Sequence, residues 1–351
     1  MPNIGVIGCG YWGPNLIRNF HSLGRCKLLM CSDTIGDRLE FLRSQFPTVQ
    51  VTQDTEEILR SPRIDAVAIA TPVATHFGLA KEALLHDKDV LVEKPMTTST
   101  RQAEELVELA QLRRRVLMVD HTFVYTGAVR KLKELLLKRD LGELYYIDSV
   151  RANLGLFQRD TNVLWDLAVH DVSIIDFLCE SLPVSVSAVG ACHINDGIEN
   201  VVYLTAFYEN NFLAHVHVNW LAPAKVRRML LCGSKKMAVY DDVEPSDKVK
   251  VYDKGVEVPP DPEAIRQARV QYRVGDMYAP CLDSAEALKR VTSHFLDCIE
   301  THAKPLTDGE MGLRVVRVLE AADISIHNGN RKVFLPKMGS VARTRAVQQA
   351  G

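Results

Sequence analysis

At 351 residues the chain exceeds what one compact core usually holds, so two domains are the starting expectation. A formal net charge of −2, with 47% hydrophobic and 25% charged residues, is that of an ordinary globular chain and argues against a polyanion-binding or charged membrane surface. No apolar run approaches the ~20 residues of a bilayer span, no basic leader precedes the first strand pattern, and the eight cysteines are scattered without a C-x-x-C pair. We therefore expect a cytoplasmic protein with buried free thiols, no membrane or nucleic-acid partner and no bound metal.

The first stretch organises the rest. Ile4, Val6 and Ile7 form a short apolar run that meets Gly8, Gly10 and Gly13, and an amphipathic helix pattern follows through Phe20. The G-x-G-x-x-G spacing suits a dinucleotide. The first glycine allows the tight turn, the second lets the backbone approach the pyrophosphate, and the third lets helix and strand pack. The helix then aims free N–H groups and its positive end at the phosphates, and Pro14 in its first turn costs no hydrogen bond. Tyr11 and Trp12 lie inside this loop. A second strand, 27–32, ends at Asp33, twenty positions beyond Gly13, where a carboxylate can accept from the ribose hydroxyls. That selects NAD ahead of NADP, with Arg38 and Thr34 as the neighbours that would favour a 2′-phosphate.

Helix and strand patterns then alternate. A helix carries Leu39, Phe41 and Leu42, followed by a strand at 49–51, a helix at 56–59, and an apolar run at 65–71 stopped by Pro72. Helix 74–85, strand 89–93 leading into Lys94-Pro95, helix 99–112 and strand 116–119 complete the series. Such alternation predicts a doubly wound parallel sheet, whose ligands bind beyond the carboxyl ends of the strands. The glycine turn, Asp33, Thr71-Pro72, Glu93 to Pro95 and Asp120-His121 all fall at strand ends, so we expect them to line one crevice.

From 122 the style changes. A helix at 128–138 precedes strands near 145–152, 185–191, 201–207, 212–219, 228–231, 237–240 and 248–252, interrupted by a helix at 165–178. Alternation and short turns predict a mainly antiparallel sheet. Two late helices open at Asp283 and Thr307, each with a glutamate three residues on, a capping-box spacing. Residues 259–280 read as a long loop. The expected division is a domain at 1–122, a second at 123–338, and a frayed tail at 339–351.

Three features could carry chemistry. Lys94 sits at a parallel strand end, where partial desolvation would suit a proton carrier or an alkoxide stabiliser. Asp166 and His170, four apart on a predicted helix, share a face, so the carboxylate can orient the ring. The polar stretch from Asn153 to Asn162 suits sugar hydroxyls. Each has a bland counterpart: a solvated lysine, a structural helix-start pair, a solvated loop. The basic residues Lys225, Arg227 and Arg228 read as a turn able to hold a pyrophosphate, with Trp220 to stack on a base or sugar, against the plainer reading of a basic sheet edge.

Taken in order, Gly8-Cys-Gly-Tyr-Trp-Gly13, the Ala70 to His76 loop, Glu93-Lys94-Pro95 and Asp166-Leu-Ala-Val-His170 resemble the Gfo/Idh/MocA oxidoreductases across nearly the whole chain. The resemblance implies an α/β fold: an N-terminal Rossmann doubly wound parallel sheet plus a C-terminal α/β domain with a large open, mainly antiparallel sheet. It implies NAD or NADP, a sugar or cyclitol substrate, and a homodimer or homotetramer joined through the C-terminal sheet. Lys94, Asp166 and His170 match the family's catalytic positions. Thr71, Pro72, His76 and Glu93 match its cofactor-contacting loops, to which Gly8, Gly10, Tyr11, Trp12, Gly13, Asp33, Arg38, Lys94 and His121 are added. Lys94, Tyr125, Asn153, Asn162, Trp165, His170 and Arg227 are the expected substrate contacts. The glycine-rich run often found before the Asp is absent here, where Thr161-Asn-Val-Leu164 stands instead. The run 220–228 and the turn 233–237 are most similar to a subgroup acting on nucleotide sugars, UDP-N-acetylglucosamine and glucuronate 3-dehydrogenases. The alternatives are an inositol or free-sugar dehydrogenase, and a non-catalytic NAD(H)-binding regulator.

Overall fold

The structure is a computed structural model that describes residues 1–155, 161–194, 197–257 and 271–336. It comprises two compact units, Met1–Thr126 with Ser284–Glu320, and Gly127–Asp283 with the residues from Ala321 on.

The first unit is built on six parallel strands: β1 (Asn3–Ile7), β2 (Lys27–Ser32), β3 (Gln50–Thr52), β4 (Ala66–Ile69), β5 (Asp89–Glu93) and β6 (Leu117–Asp120), in the order β3-β2-β1-β4-β5-β6. Val67, Ala68, Val90 and Val92 are fully buried, as continuous apolar strands covered on both faces must be. The helices are α1 (Gly13–Leu23), α2 (Gly36–Gln45), α3 (Glu56–Leu59), α4 (Val73–Leu85) and α5 (Thr100–Arg113). The strand order reverses at β1, which opens the crevice beside its carboxyl end.

The first unit breaks at 126/127, four residues from the expected 122/123, and the chain returns to that unit at Ser284, which the expected division places in the second. There α8 (Ala287–Thr301) lies on α1: Phe20 meets Phe295 edge-on at 6.4 Å, and Arg25 pairs with Asp297 and Glu300 at 2.8 and 2.7 Å. Thr307 then reaches β6, its hydroxyl donating to the Val119 carbonyl at 2.7 Å. Neither expected capping box forms. Glu286 precedes α8 but accepts from Arg18 at 2.6 Å and Asn19 at 3.2 Å. Asp308, not Thr307, caps α9 (Gly309–His327), accepting from the Met311 N–H at 2.8 Å.

In the second unit α6 (Gly127–Leu137) leads to β7 (Leu144–Leu154), and α7 (Val169–Cys179) follows a short π-helical segment, Leu164–Ala168. The strands β8 (Ser185–Ala191), β9 (Val201–Phe207), β10 (Leu213–Asn219), β11 (Leu221–Gly233), β12 (Met237–Asp241) and β13 (Val249–Tyr252) come next. The short β14 (Gly255–Glu257) and β15 (Gln271–Arg273) pair with each other, and β16 (Met277–Tyr278) and β17 (Val333–Phe334) flank the large sheet. Its nine strands run β16-β13-β12-β11-β7-β10-β9-β8-β17, with β10 parallel to β7 and the remaining pairings antiparallel.

Strand β11 is far longer than the expected 228–231. Leu221 pairs with Leu154 and Val226 with Ala152, so residues 222–225 bulge opposite the single Asn153. The expected loop at 259–280 contains β15 and β16, while its 259–270 portion and the expected tail lie outside the described residues. Cys192 and Cys281 are exposed rather than buried. Among the described residues no helix is long and apolar enough to cross a membrane.

Candidate active site

The glycine turn is shaped by backbone crowding. Gly8 has φ +94°, and a Cβ there would come within 2.6 Å of the Ala70 carbonyl oxygen. A Cβ at Gly13 would meet the Gly8 carbonyl oxygen at 2.1 Å, so strand and helix close on each other only through glycine. At Gly10 the nearest atom is the Arg38 guanidinium at 3.6 Å, which leaves the bare backbone open to a ligand. Tyr11 is 79% exposed on the turn, and Trp12 precedes α1.

Asp33 is anchored from below: its Oδ2 accepts from the Cys9 N–H at 2.7 Å and its Oδ1 from the Ile35 N–H at 2.9 Å. Arg38 reaches Oδ2 at 3.3 Å with half of its side chain in water. Arg38 also reaches Oδ1 at 3.4 Å, so a ribose diol would take the lone pairs that Arg38 now occupies while the two backbone bonds hold the carboxylate in place. The cradle that only glycine fits, the open backbone at Gly10 and the fixed Asp33 suit a dinucleotide.

At the next strand ends His76, buried in α4, bridges two loops, with Nδ1 2.9 Å from the Pro95 carbonyl and Nε2 2.9 Å from that of Thr71. Burial lowers its pKa. A neutral ring has one N–H for these two acceptors, so His76 works as a tie between loops. Thr71 accepts from Thr75 at 2.6 Å, and Pro72 is the residue before α4. Lys94 is partly buried just past β5. Beside it Glu93 and Asp120 end adjacent strands in register, both buried. Burial pushes both carboxyls up, Asp120 to about 6. His121 is buried too, and burial pushes its imidazole down to about 3. Tyr125 is 2% exposed, its hydroxyl 3.2 Å from that of Thr307, so it faces the core of the first unit.

In the second unit Asp166 falls within the π-helical segment and His170 is the second residue of α7. The wider turn is a departure from the regular α spacing read from sequence, and such bulges recur at functional sites. Trp220 donates its indole N–H to Asp166 Oδ2 at 3.0 Å. It is fully buried, and a Cβ at Gly155 would lie 2.3 Å from its ring. Trp220 is therefore a brace for Asp166 and offers no face to a base or sugar, which overturns the stacking expectation. Nothing in the sequence pairs it with a carboxylate 54 positions away.

A second brace also escapes the sequence. Arg151 on β7 donates to Asp171 on α7 at 2.7 and 3.2 Å, and Ser149 adds a bond at 2.8 Å, which fixes the residue next to His170. Asn162, buried, donates to Glu199 at 2.9 Å and Asp323 at 3.2 Å, and accepts from the Trp165 N–H at 3.3 Å. Its amide is thus committed to holding the start of the π-helical segment. Trp165 is half-buried. Asn153 stands opposite the β11 bulge, its Oδ1 inaccessible and without a donor among the described residues. Lys225 and Arg228 are exposed, but along β11 rather than in a turn, and Arg227 lies 3.4 Å from Asp242.

Residues 2–121 match an oxidoreductase family with an NAD-binding Rossmann fold, and residues 129–239 match the GFO/IDH/MocA C-terminal domain. UDP-N-acetylglucosamine 3-dehydrogenase of Acidithiobacillus ferrooxidans is 27% identical over 89% of this chain and 93% of its own length. A solved structure of that enzyme superposes with a TM-score of 0.78, at 24% identity, over 93% of this chain and 97% of its own, a likeness of fold. The oxidoreductase YdgJ of Escherichia coli is 31% identical over 70% of this chain and 72% of its own length. GenD2 from gentamicin A biosynthesis, solved in complex with NAD, shares the fold at a TM-score of 0.79 and 21% identity, covering 95% of this chain and 96% of that one. With both family models matched in order and a relative above 30% identity over most of its length, the chain belongs to the Gfo/Idh/MocA family of NAD-binding oxidoreductases.

Proposed function

We propose that this dehydrogenase oxidises C3 of a UDP-N-acetylhexosamine, or of its uronate, to a 3-keto sugar. The reaction is carried by Lys94, which stands at the carboxyl end of β5, on the side of the parallel sheet that the glycine turn serves. The substrate is supported by the likeness to UDP-N-acetylglucosamine 3-dehydrogenase over 89% of the chain. NAD, when bound, supplies the hydride acceptor. His170 takes the hydroxyl proton, Lys94 donates a hydrogen bond to the developing alkoxide, and Asp166, braced by Trp220, holds the proton-transfer geometry. Arg227 and the exposed Lys225 and Arg228 are the cations available to a pyrophosphate. Of the described polar residues before the π-helical segment, the Asn153 amide nitrogen and Thr161 are left for sugar hydroxyls in this reading, since the Asn162 amide is committed. A homo-oligomer joined through the large sheet belongs to the same reading.

Titration of UDP into the NADH-loaded protein tests the substrate. Binding at micromolar to low millimolar concentration is expected, because UDP carries the base and charge without the reactive ring. No binding at millimolar UDP, together with NADH production from inositol or a free sugar, would put an inositol or sugar dehydrogenase in its place. Lys94→Met and His170→Ala test the chemistry. Each should lower kcat at least a hundredfold with NADH affinity unchanged, since the lost interaction belongs to the transition state.

A further inference from the structure

Glu93 and Asp120 are the last residues of β5 and β6, adjacent parallel strands, and face each other in register. Strands so paired lie about 4.8 Å apart, and both side chains are sealed from water, Glu93 at 8% and Asp120 at 1% exposure. Two carboxyls sealed side by side in one site cannot both ionise at neutral pH, and Asp120 raises the proton affinity of Glu93, so one of the two carries a proton. The Thr122 hydroxyl donates to Asp120 Oδ1 at 2.7 Å, a bond that favours charge on Asp120 and leaves the proton on Glu93.

The remaining titratable groups here are Lys94, which follows Glu93, His121, which follows Asp120, and His76 from α4. Both histidines are buried, and burial, with the Lys94 charge adding to it, disfavours their protonation. Lys94 in turn draws both carboxyls toward ionisation. We infer that Glu93 and Asp120 form a carboxyl dyad that keeps one proton between them and acts as a positioning pair for Lys94, setting a single fixed negative charge against its ammonium. In this role the pair acts through Lys94 and not on the reacting atoms. It lets a partly buried lysine remain a cationic hydrogen-bond donor. The inference rests on the reading of Lys94 given above.

The test uses the full chain without substrate. Infrared difference spectra of wild type at pH 7.5 should show a protonated-carboxyl stretch that shifts in D2O and is missing in Glu93→Gln. Amine-selective labelling of Lys94 across pH, read by peptide mass spectrometry, should be little changed in Glu93→Gln, which keeps one carboxylate. In the Glu93→Gln/Asp120→Asn double variant labelling should begin roughly one pH unit lower, a tenfold change in the labelled fraction. A band that survives in Glu93→Gln, or double-variant labelling that follows wild type, overturns the dyad. If the double variant shows no cooperative unfolding transition by circular dichroism and so has not folded, the infrared band of Glu93→Gln decides alone. Lys94→Met retaining turnover would instead overturn the catalytic reading of Lys94 while leaving these two measurements standing.

Discussion

Asp33, just past β2, and Arg38 on α2 form an ion pair. The carboxylate is held by two backbone N–H groups, and Arg38 rests on it at 3.3 Å, so a 2′-phosphate would meet an anion whose nearest cation is already engaged. NAD should therefore be preferred over NADP in kcat/KM. Asp33→Ser should release Arg38 and lower that preference at least tenfold; equal preference before and after the change would show that Asp33 does not set it. His121 yields a pH prediction. Its imidazole is pushed by burial to about 3, below the 6.5 of a free histidine, so the folded state binds fewer protons than the unfolded. Its contribution to stability is complete above pH 6.5 and is lost as pH falls toward 3. Between pH 6.5 and 5 the loss is about 2 kcal/mol. Asp120, raised to about 6, acts with the opposite sign, gaining stability as pH falls from 6 toward 4. Comparing wild type with His121→Phe at pH 7 and 5 cancels the Asp120 part. Urea unfolding should show the variant losing about 2 kcal/mol less on acidification, and equal losses would mean that His121 is not held neutral.

At the scale of elements, the brace from the end of β10 to the π-helical segment is the feature most open to test. Trp220→Phe keeps most of the apolar bulk and removes the N–H donated to Asp166. A carboxylate deprived of a buried donor costs about 1–3 kcal/mol, and kcat should fall about tenfold with NADH affinity unchanged. A variant as active as wild type would show that Asp166 needs no such support. Phe295→Ala, in the α8 face against Phe20, should cost about 3–5 kcal/mol in unfolding experiments. Sequence reading did well at β5, α3, β8 and β9, which fall on the expected residues, and a proline follows within three residues of the first two. It shortened β11 because Lys225 and Arg227 break the apolar pattern, although a strand with a bulge and a solvated side tolerates them. It gave α8 to the wrong unit because periodicity reveals an apolar face without revealing which surface covers it. The glycine turn and Asp33 were legible because their spacing is local. The Trp220–Asp166 and Arg151–Asp171 bonds join residues 54 and 20 positions apart, and no local pattern records them.

For the whole molecule, the large sheet raises the question of assembly. One face is packed by α7, which is tied to β7 through Asp171 and Arg151, and it buries Ile147, Leu204 and Val216. On the other face Val189, Tyr203, Leu213 and Tyr146 lie on four neighbouring strands, each 39–45% exposed. Tyr203 stacks on His217 at 4.3 Å between ring centroids, which packs the side chains of two neighbouring strands together on this face. Covering such a face gains roughly 25 cal/mol per Å² of apolar area, and a closed two-fold pairing of like faces is the commonest way to do so. Light scattering should therefore return a mass that is a multiple of the 39.3 kDa chain. Tyr203→Glu with Leu213→Glu places two charges on the face without touching the buried side of the sheet or the dinucleotide cradle, which lies in the other unit. That variant should shift to the mass of one chain while still binding NADH. A wild-type protein that stays at 39.3 kDa at high concentration, or a double variant that keeps the larger mass, would show that this sheet face is not where copies meet.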